Sequence, residues 1–348
     1  MPRPADGDAR AARPRVLVAR SAWARIHAEV ERWAREGLRR TGSPFEAIAY
    51  PLSALVRRRP RAGAPGPLEL CGPEHLDAVV VADVALPPDE AKHFGSHNCH
   101  FSGPDLAALN AAFNAEIDAR IARAPRLEVH TKLHSHPFPG GDWLSGMDVK
   151  VNALTDGAVA WRERLGLGAA LLQICWPHEE PARMLAGDAP GRWHLATFAV
   201  DGAGAARRLP DARIVPDAHP AVRRALAPPY WRTDAGRAWD DAQKAALRAA
   251  GYRVSRGALR RGWRRYLITL SDGRELCLCL PPDPGAEAPR VVHVIDAAAN
   301  RFAPLPLPRW AAAARTLEAL DLPALARAYE RRRRAERRPR RPAGAAAA

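Results

Sequence analysis

Leu127-Glu128-Val129-His130-Thr131-Lys132-Leu133-His134-Ser135-His136-Pro137, then seven residues, then Ser145-Gly146-Met147-Asp148, is the stretch that decides how this chain is read. Leu127, Val129, Thr131 and Leu133 alternate with Glu128, His130 and Lys132, which is the two-residue period of a β-strand. If the strand continues, His134 and His136 project from the same face. Pro137 lacks a backbone donor and ends the strand. Two imidazoles on one face are a natural chelate, and neutral imidazole suits zinc. Asp148 adds a hard oxygen donor at the expected start of a helix. Three protein ligands leave one tetrahedral position open for water, as a catalytic zinc site requires. Taken singly, the pieces have plainer explanations. Two histidines at a strand end can be polar surface residues, and Ser145-x-x-Asp148 also fits a helix-capping box. The whole pattern, however, is expected by chance only on the order of 10⁻⁴ times in a chain of this composition, so the combination outweighs its parts.

Working outward, residues 1–15 read as disordered, and a first helix is expected from Ser21 as N-cap. Trp23, Ile26, Val30 and Trp33 recur at helical spacing and Gly42 follows as a stop. Residues 44–56 read as a strand, 57–67 as an Arg-, Gly- and Pro-rich loop, and 77–86 as a strand carrying Val79-Val80-Val81 and ended by Pro87-Pro88. A second helix fits 105–124, with Leu106, Leu109, Phe113, Ile117 and Ile121 on one face. Residues 169–176 and 194–200 add two strands. Helices and strands in this order make an α/β (α+β) domain over 16–200, a sheet with helices packed on it. Pro, Ala and Arg enrichment marks 201–230 as a linker. A second α+β unit is expected over 231–330, with a helix at 240–250, four short strands at 252–254, 266–270, 276–280 and 291–295, and helices at 310–320 and 323–334.

The 348 residues suggest about two domains, and 47% hydrophobic with 26% charged residues suits a globular chain. No apolar stretch is long enough for a transmembrane helix, and the first residues carry no signal-peptide core, so a cytoplasmic location is expected. Five cysteines without a CxxC pair argue against a disulfide framework or a cysteine-rich zinc site. The net charge of +15 is almost all arginine, since lysine occurs only at 92, 132, 150 and 244. Residues 331–341 hold eight Arg and one Glu and so supply +7 of that charge. A solvated, disordered tail over 331–348 is the plain reading, and a tail that contacts acidic partners is the sharper one. Nucleic-acid and membrane partners are not expected.

The pattern His134-Ser135-His136-Pro137, seven residues, Ser145-x-x-Asp148 resembles the JAMM motif of the JAB/MPN zinc metallopeptidases, over roughly residues 16–200. The resemblance implies a JAB/MPN-like (cytidine-deaminase-like) sheet flanked by helices, with zinc held by His134, His136 and Asp148. It implies that Ser145 hydrogen-bonds the developing oxyanion and that a glutamate from an earlier strand serves as general base and acid. Glu46, directly after the first helix, matches that placement, and Glu69 is the rival. The sequence departs from the family at Ala49, where glycine is usual, at Pro51 within the strand, and in the long gap from Glu46 to His134. Relatives cleave peptide or isopeptide bonds after ubiquitin-like proteins, and bacterial ones process ubiquitin-like or sulfur-carrier proteins. The expected substrate is therefore a ubiquitin-like protein or its conjugate, with activating- or conjugating-enzyme partners in the same system. The alternative is a catalytically inactive MPN-type scaffold, although its kind usually loses ligands.

Other carboxylates fit the base less well. Asp142 follows Gly140-Gly141 in a stretch expected to be mobile, and Glu128 lies roughly 20 Å along an extended strand from His134. His97-Asn98-Cys99-His100 lacks a complementary ligand pair. Cys277-Leu278-Cys279 reads as buried structural thiols in an apolar strand. The second unit bears a faint likeness to the ubiquitin-conjugating-enzyme or RWD fold, without a nucleophilic cysteine after its fourth strand. An unrelated α+β domain is the plainer reading.

Overall fold

The computed structural model describes residues 14–57, 76–94, 99–101, 106–129, 133–152, 170–180, 183, 192–258, 264–280, 293–296, 304–305, 308–313 and 320–337. Val16-Leu17-Val18-Ala19 is a buried apolar run, and it forms strand β1 (Arg15–Ala19) ahead of the first helix. Its five residues are too few to show a period in the sequence. Helix α1 (Arg20–Thr41) follows without a break. Its N-cap is Ala19, which offers no capping side chain, so the expected cap at Ser21 is corrected. The Ser21 hydroxyl instead donates to Asp217 Oδ1 at 2.9 Å. The helix ends at Gly42, whose φ of 75° is readily adopted by glycine and whose N–H bonds the Leu38 carbonyl. Ala22, Ile26, Val30, Trp33 and Ala34 form its buried face.

That face covers a mixed sheet. Strands β2 (Ile48–Arg57) and β3 (Leu76–Ala85) are antiparallel, and β1 runs parallel to β3. Beyond the short hairpin β4 (Lys92–Phe94) and β5 (Cys99–Phe101), helix α2 (Leu106–Arg123) packs Phe113, Ile117 and Ile121 on the same core. The continuous strand expected from 127 is described as two pieces, β6 (Glu128–Val129) and β7 (Leu133–Ser135), and residues 130–132 lie outside the described residues. After α3 (Gly146–Asn152) come β8 (Ala170–Pro177), parallel to β7, and β9 (Trp193–Val200), antiparallel to β8.

Residues 201–230 are not the linker that their composition suggested. They carry β10 (Ala206–Arg208), β11 (Arg213–Val215) and α4 (Pro220–Leu226), and both strands join the sheet. The sheet order is β10-β9-β8-β7-β2-β3-β1-β11, with β6 also paired to β2. Buried Val222 and Ala225 bring α4 into the core. The first compact unit accordingly extends to Pro228. The mixed α/β architecture of a sheet flanked by helices is thus present.

The second unit starts at Pro229. Helix α5 (Asp234–Ala249) is capped by Thr233 and precedes a meander of β12 (Arg253–Ala258), β13 (Arg264–Thr269), β14 (Glu275–Leu280), β15 (His293–Asp296) and β16 (Pro304–Leu305). Short α6 (Arg309–Ala313) and long α7 (Leu322–Arg337) complete it. Helix α7 runs through Arg331–Arg334 to Arg337, so the start of the arginine-rich segment is helical rather than disordered. Residues 338–348, like 1–13 and the expected loop at 58–67, lie outside the described residues. No helix among the described residues is long and apolar enough to cross a membrane.

Candidate metal centre

The two histidines leave the end of β7 on one side of the sheet, and both are buried. The backbone N–H of His136 bonds the Cys175 carbonyl of β8 at 2.8 Å, so the strand geometry extends one residue past β7. Pro137 then turns the chain away. On the same face Leu144 and Val149 pack over Leu172 and Val200, and Leu144 also meets Ile174, Ala196 and Phe198. This apolar contact seats α3 on the sheet beside the histidines. Ser145 and Asp148 meanwhile cap the helix reciprocally: Asp148 N–H donates to Ser145 Oγ at 3.0 Å, and Ser145 N–H donates to Asp148 Oδ2 at 2.7 Å. The capping box is therefore real, and it does not compete with a second role. One Asp148 oxygen, Oδ1, lies 2.9 Å from His134 Nε2, and the other lies 3.6 Å from His136 Nε2.

The two Nε2 atoms are 3.1 Å apart, and one donor atom from each of the three residues falls within 4.8 Å of the others. His136 Nδ1 is 2.9 Å from the Gly141 carbonyl, so that nitrogen carries the proton and donates it. In the neutral ring Nε2 then presents a lone pair toward His134 and Asp148. Burial opposes charge on His136, but the hydrogen bond and charge of Asp148, helped by the Gly141 carbonyl and Glu46, raise its pKa above the ordinary value. Burial likewise opposes charge on Asp148, yet hydrogen bonds to both histidines hold its carboxyl well below the carboxylate range. Once their Nε2 atoms are unprotonated, the two buried imidazoles and the half-buried carboxylate bring together the donor set of a cation site. The three residues can hold a metal ion, and they are the only such group of three among the described residues.

Glu46 joins this cluster through strand register. Ile48 pairs with His134 and Ala49 with Leu133, and Ser135 N–H bonds the Ala47 carbonyl at 3.0 Å. Two residues further, the same antiparallel register sets Glu46 opposite His136, on the histidine face. Glu46 is buried, and its charge is felt at His136. Glu69 lies outside the described residues. Pro51 proves compatible with its strand: it falls between the part of β2 paired with β7 and the part paired with β6, and a register irregularity follows it at Leu52 and Ser53.

Three supporting residues were not foreseen. Ser135, between the two histidines, is fully buried, and its Oγ accepts the Ala47 N–H at 2.8 Å, which fixes the chain beside Glu46. Gly141 is buried against His136. Asp142 is ion-paired to Arg208 of β10, which also pairs with Asp211 and lies over the Trp176 ring. Of these, only the Gly140-Gly141 pair carries a sequence signal. Around the centre, Phe138 stacks on His136, while Trp143 and Met147 are 49% and 65% exposed. Compared with known proteins, the chain matches no family model and no curated protein.

Proposed function

We propose that this chain is a zinc metallopeptidase of the JAB/MPN type, hydrolysing the peptide or isopeptide bond at the C-terminus of a ubiquitin-like or sulfur-carrier protein in the cytoplasm. The observation that carries the reading is the convergence of His134, His136 and Asp148 with Glu46 on the same face. Two ligands bonded tetrahedrally to zinc at 2.0–2.1 Å stand about 3.3 Å apart. The 3.1 Å between the imidazole nitrogens is close to that spacing. Zinc held there supplies Lewis acidity, polarising a scissile carbonyl and lowering the pKa of a water to about 7.

The chain's own residues do the rest. Glu46 accepts the proton of the attacking water and delivers it to the leaving amine nitrogen. The Ser145 hydroxyl, whose oxygen accepts the Asp148 N–H, keeps its own proton to donate to the oxygen that becomes negative in the transition state. Gly141 fixes the His136 tautomer that presents a lone pair. Exposed Trp143 and Met147, beside half-buried Phe138, offer apolar surface to an extended polypeptide tail. Incubating the full chain with linear fusions of ubiquitin-like proteins from the same organism tests the substrate class. Intact mass is expected to place the cut after the last residue of the ubiquitin-like part. Cuts scattered through unfolded segments, with the junction spared, would contradict it.

A further inference from the structure

Glu46 reaches the centre from just beyond the paired part of β2. Ile48 is opposite His134 and Ala49 opposite Leu133, so one residue further on Ala47 stands opposite Ser135. The Ser135 N–H donates to the Ala47 carbonyl at 3.0 Å, as a backbone rung should. The Ala47 N–H donates to the Ser135 hydroxyl oxygen at 2.8 Å. A side chain from between the two histidines thus joins the ladder at the rung next to Glu46. Ala47 and Ser135 are both 0% exposed, so solvent does not stand in for that hydroxyl.

The chain is held equally closely on the other side of Glu46. Gly37 is buried near the end of α1, although glycine is a poor helix former. Close approach explains it: a Cβ there would overlap the Phe45 backbone nitrogen and stand 2.5 Å from the Ser43 carbonyl oxygen. The Thr41 hydroxyl donates to the Gly37 carbonyl at 3.0 Å and accepts the Ser43 N–H at 3.3 Å, which laces the turn to the helix end. Phe45 itself is packed in the first core. The residues on both sides of Glu46 are therefore fixed, Phe45 against Gly37 and Ala47 against Ser135.

We propose that Ser135 and Gly37 are positioning residues that set the Glu46 carboxylate at the metal centre. They act through the backbone at Ala47 and Phe45, not on the reacting atoms. The inference rests on the metallopeptidase reading, in which Glu46 moves the proton of the attacking water. A base displaced by about 1 Å can cost on the order of 10²-fold in rate, so such fixing has a catalytic consequence.

Ser135→Ala removes the acceptor without adding bulk, and it tests the proposal in the full chain. Zinc affinity, read by competition with a chromophoric chelator, is expected to hold, because His134, His136 and Asp148 remain. With a ubiquitin-like fusion as substrate, kcat is expected to fall about tenfold or more at unchanged KM. Ser135→Thr, which keeps the hydroxyl, is expected to recover the rate. Ser135→Ala combined with Glu46→Gln is expected to be no slower than Glu46→Gln alone, since no base is left to position. Gly37→Ala, which pushes Phe45 from the other side, should repeat the pattern, and if it does not fold the Ser135 variants carry the test. Independently of catalysis, hydrogen exchange at the Ala47 amide is expected to quicken in Ser135→Ala. An undiminished kcat in Ser135→Ala, a loss that adds in full to that of Glu46→Gln, or a parallel loss of zinc would overturn the role. A wild-type chain that cleaves nothing would contradict the peptidase reading instead. The exchange measurement then decides the positioning, and an Ala47 amide equally protected without the hydroxyl would overturn it.

Discussion

At Gly141 a methyl group has no room: a Cβ there would stand 2.7 Å from His136 Cβ and 3.0 Å from the Phe138 carbonyl oxygen. Gly141→Ala must therefore push away the ring that its own carbonyl orients. The variant is expected to fold and to bind zinc about 10–100-fold more weakly, read by competition with a chromophoric chelator. Equal affinity would show that the Gly141 contact does not position His136. Replacing a ligand acts more bluntly. His134→Ala, His136→Ala and Asp148→Ala should each lower the metal content of the purified protein by about one zinc per chain, the vacancy expected when one of three ligands is removed. Undiminished zinc in all three would sink the assignment. Glu46→Gln keeps shape and hydrogen bonding but removes basicity. It should retain zinc and lose on the order of 10²-fold or more in rate, whereas Glu69→Gln should change little. At this scale the sequence was most legible where chemistry demands a residue type, as at His134, His136 and Asp148. Ser135, Gly141 and Arg208 act through backbone atoms or charge on a neighbouring segment, and such roles leave no spacing pattern.

At the scale of elements, the seven residues of α3 are too few to form a stable helix alone. Its place rests on the capping box, on Leu144 and Val149 against the sheet, and on the ordered loop before it. Arg208 reaches that loop from β10 by pairing with Asp142. Arg208→Ala should free the loop and weaken zinc binding without lowering the metal-free melting temperature appreciably, because the pair is partly exposed and such pairs contribute about 0–1 kcal/mol. A melting point that falls sharply while zinc affinity holds would make Arg208 a structural residue only. The strands rich in Val, Leu and Ile, such as β3 and β8, were legible from composition. Strands β1, β10 and β11 were not, since three to five residues show no period, and β10 and β11 are largely exposed. They are strands because a neighbouring strand offers them hydrogen bonds, a tertiary cause that local sequence does not encode.

At the scale of the molecule, composition misplaced the first boundary. Pro, Ala and Arg between 201 and 230 looked like a tether, yet Val222 is fully buried in the first core. Burying one such side chain contributes about 1.5–3 kcal/mol. A fragment of residues 1–228 should therefore keep zinc and basal hydrolysis of a small peptide. One ending at residue 215 should unfold at markedly lower denaturant, followed by tryptophan fluorescence. Equal midpoints for the two would deny α4 its place in the core. The pairing of the histidines with Asp148 and with Glu46 spans β2, β7 and α3, and the sequence separation between Glu46 and His136 is closed only by the sheet. The central claim is that this assembly is a metal-dependent hydrolase. The most direct measurement is the cleavage rate of a ubiquitin-like fusion by the full chain as purified, after chelation, and after zinc is restored, with Glu46→Gln run alongside. The account predicts cleavage that chelation abolishes, zinc recovers, and Glu46→Gln fails to support even when fully loaded. Cleavage that persists in the metal-stripped chain, or that Glu46→Gln supports at the wild-type rate, would contradict it.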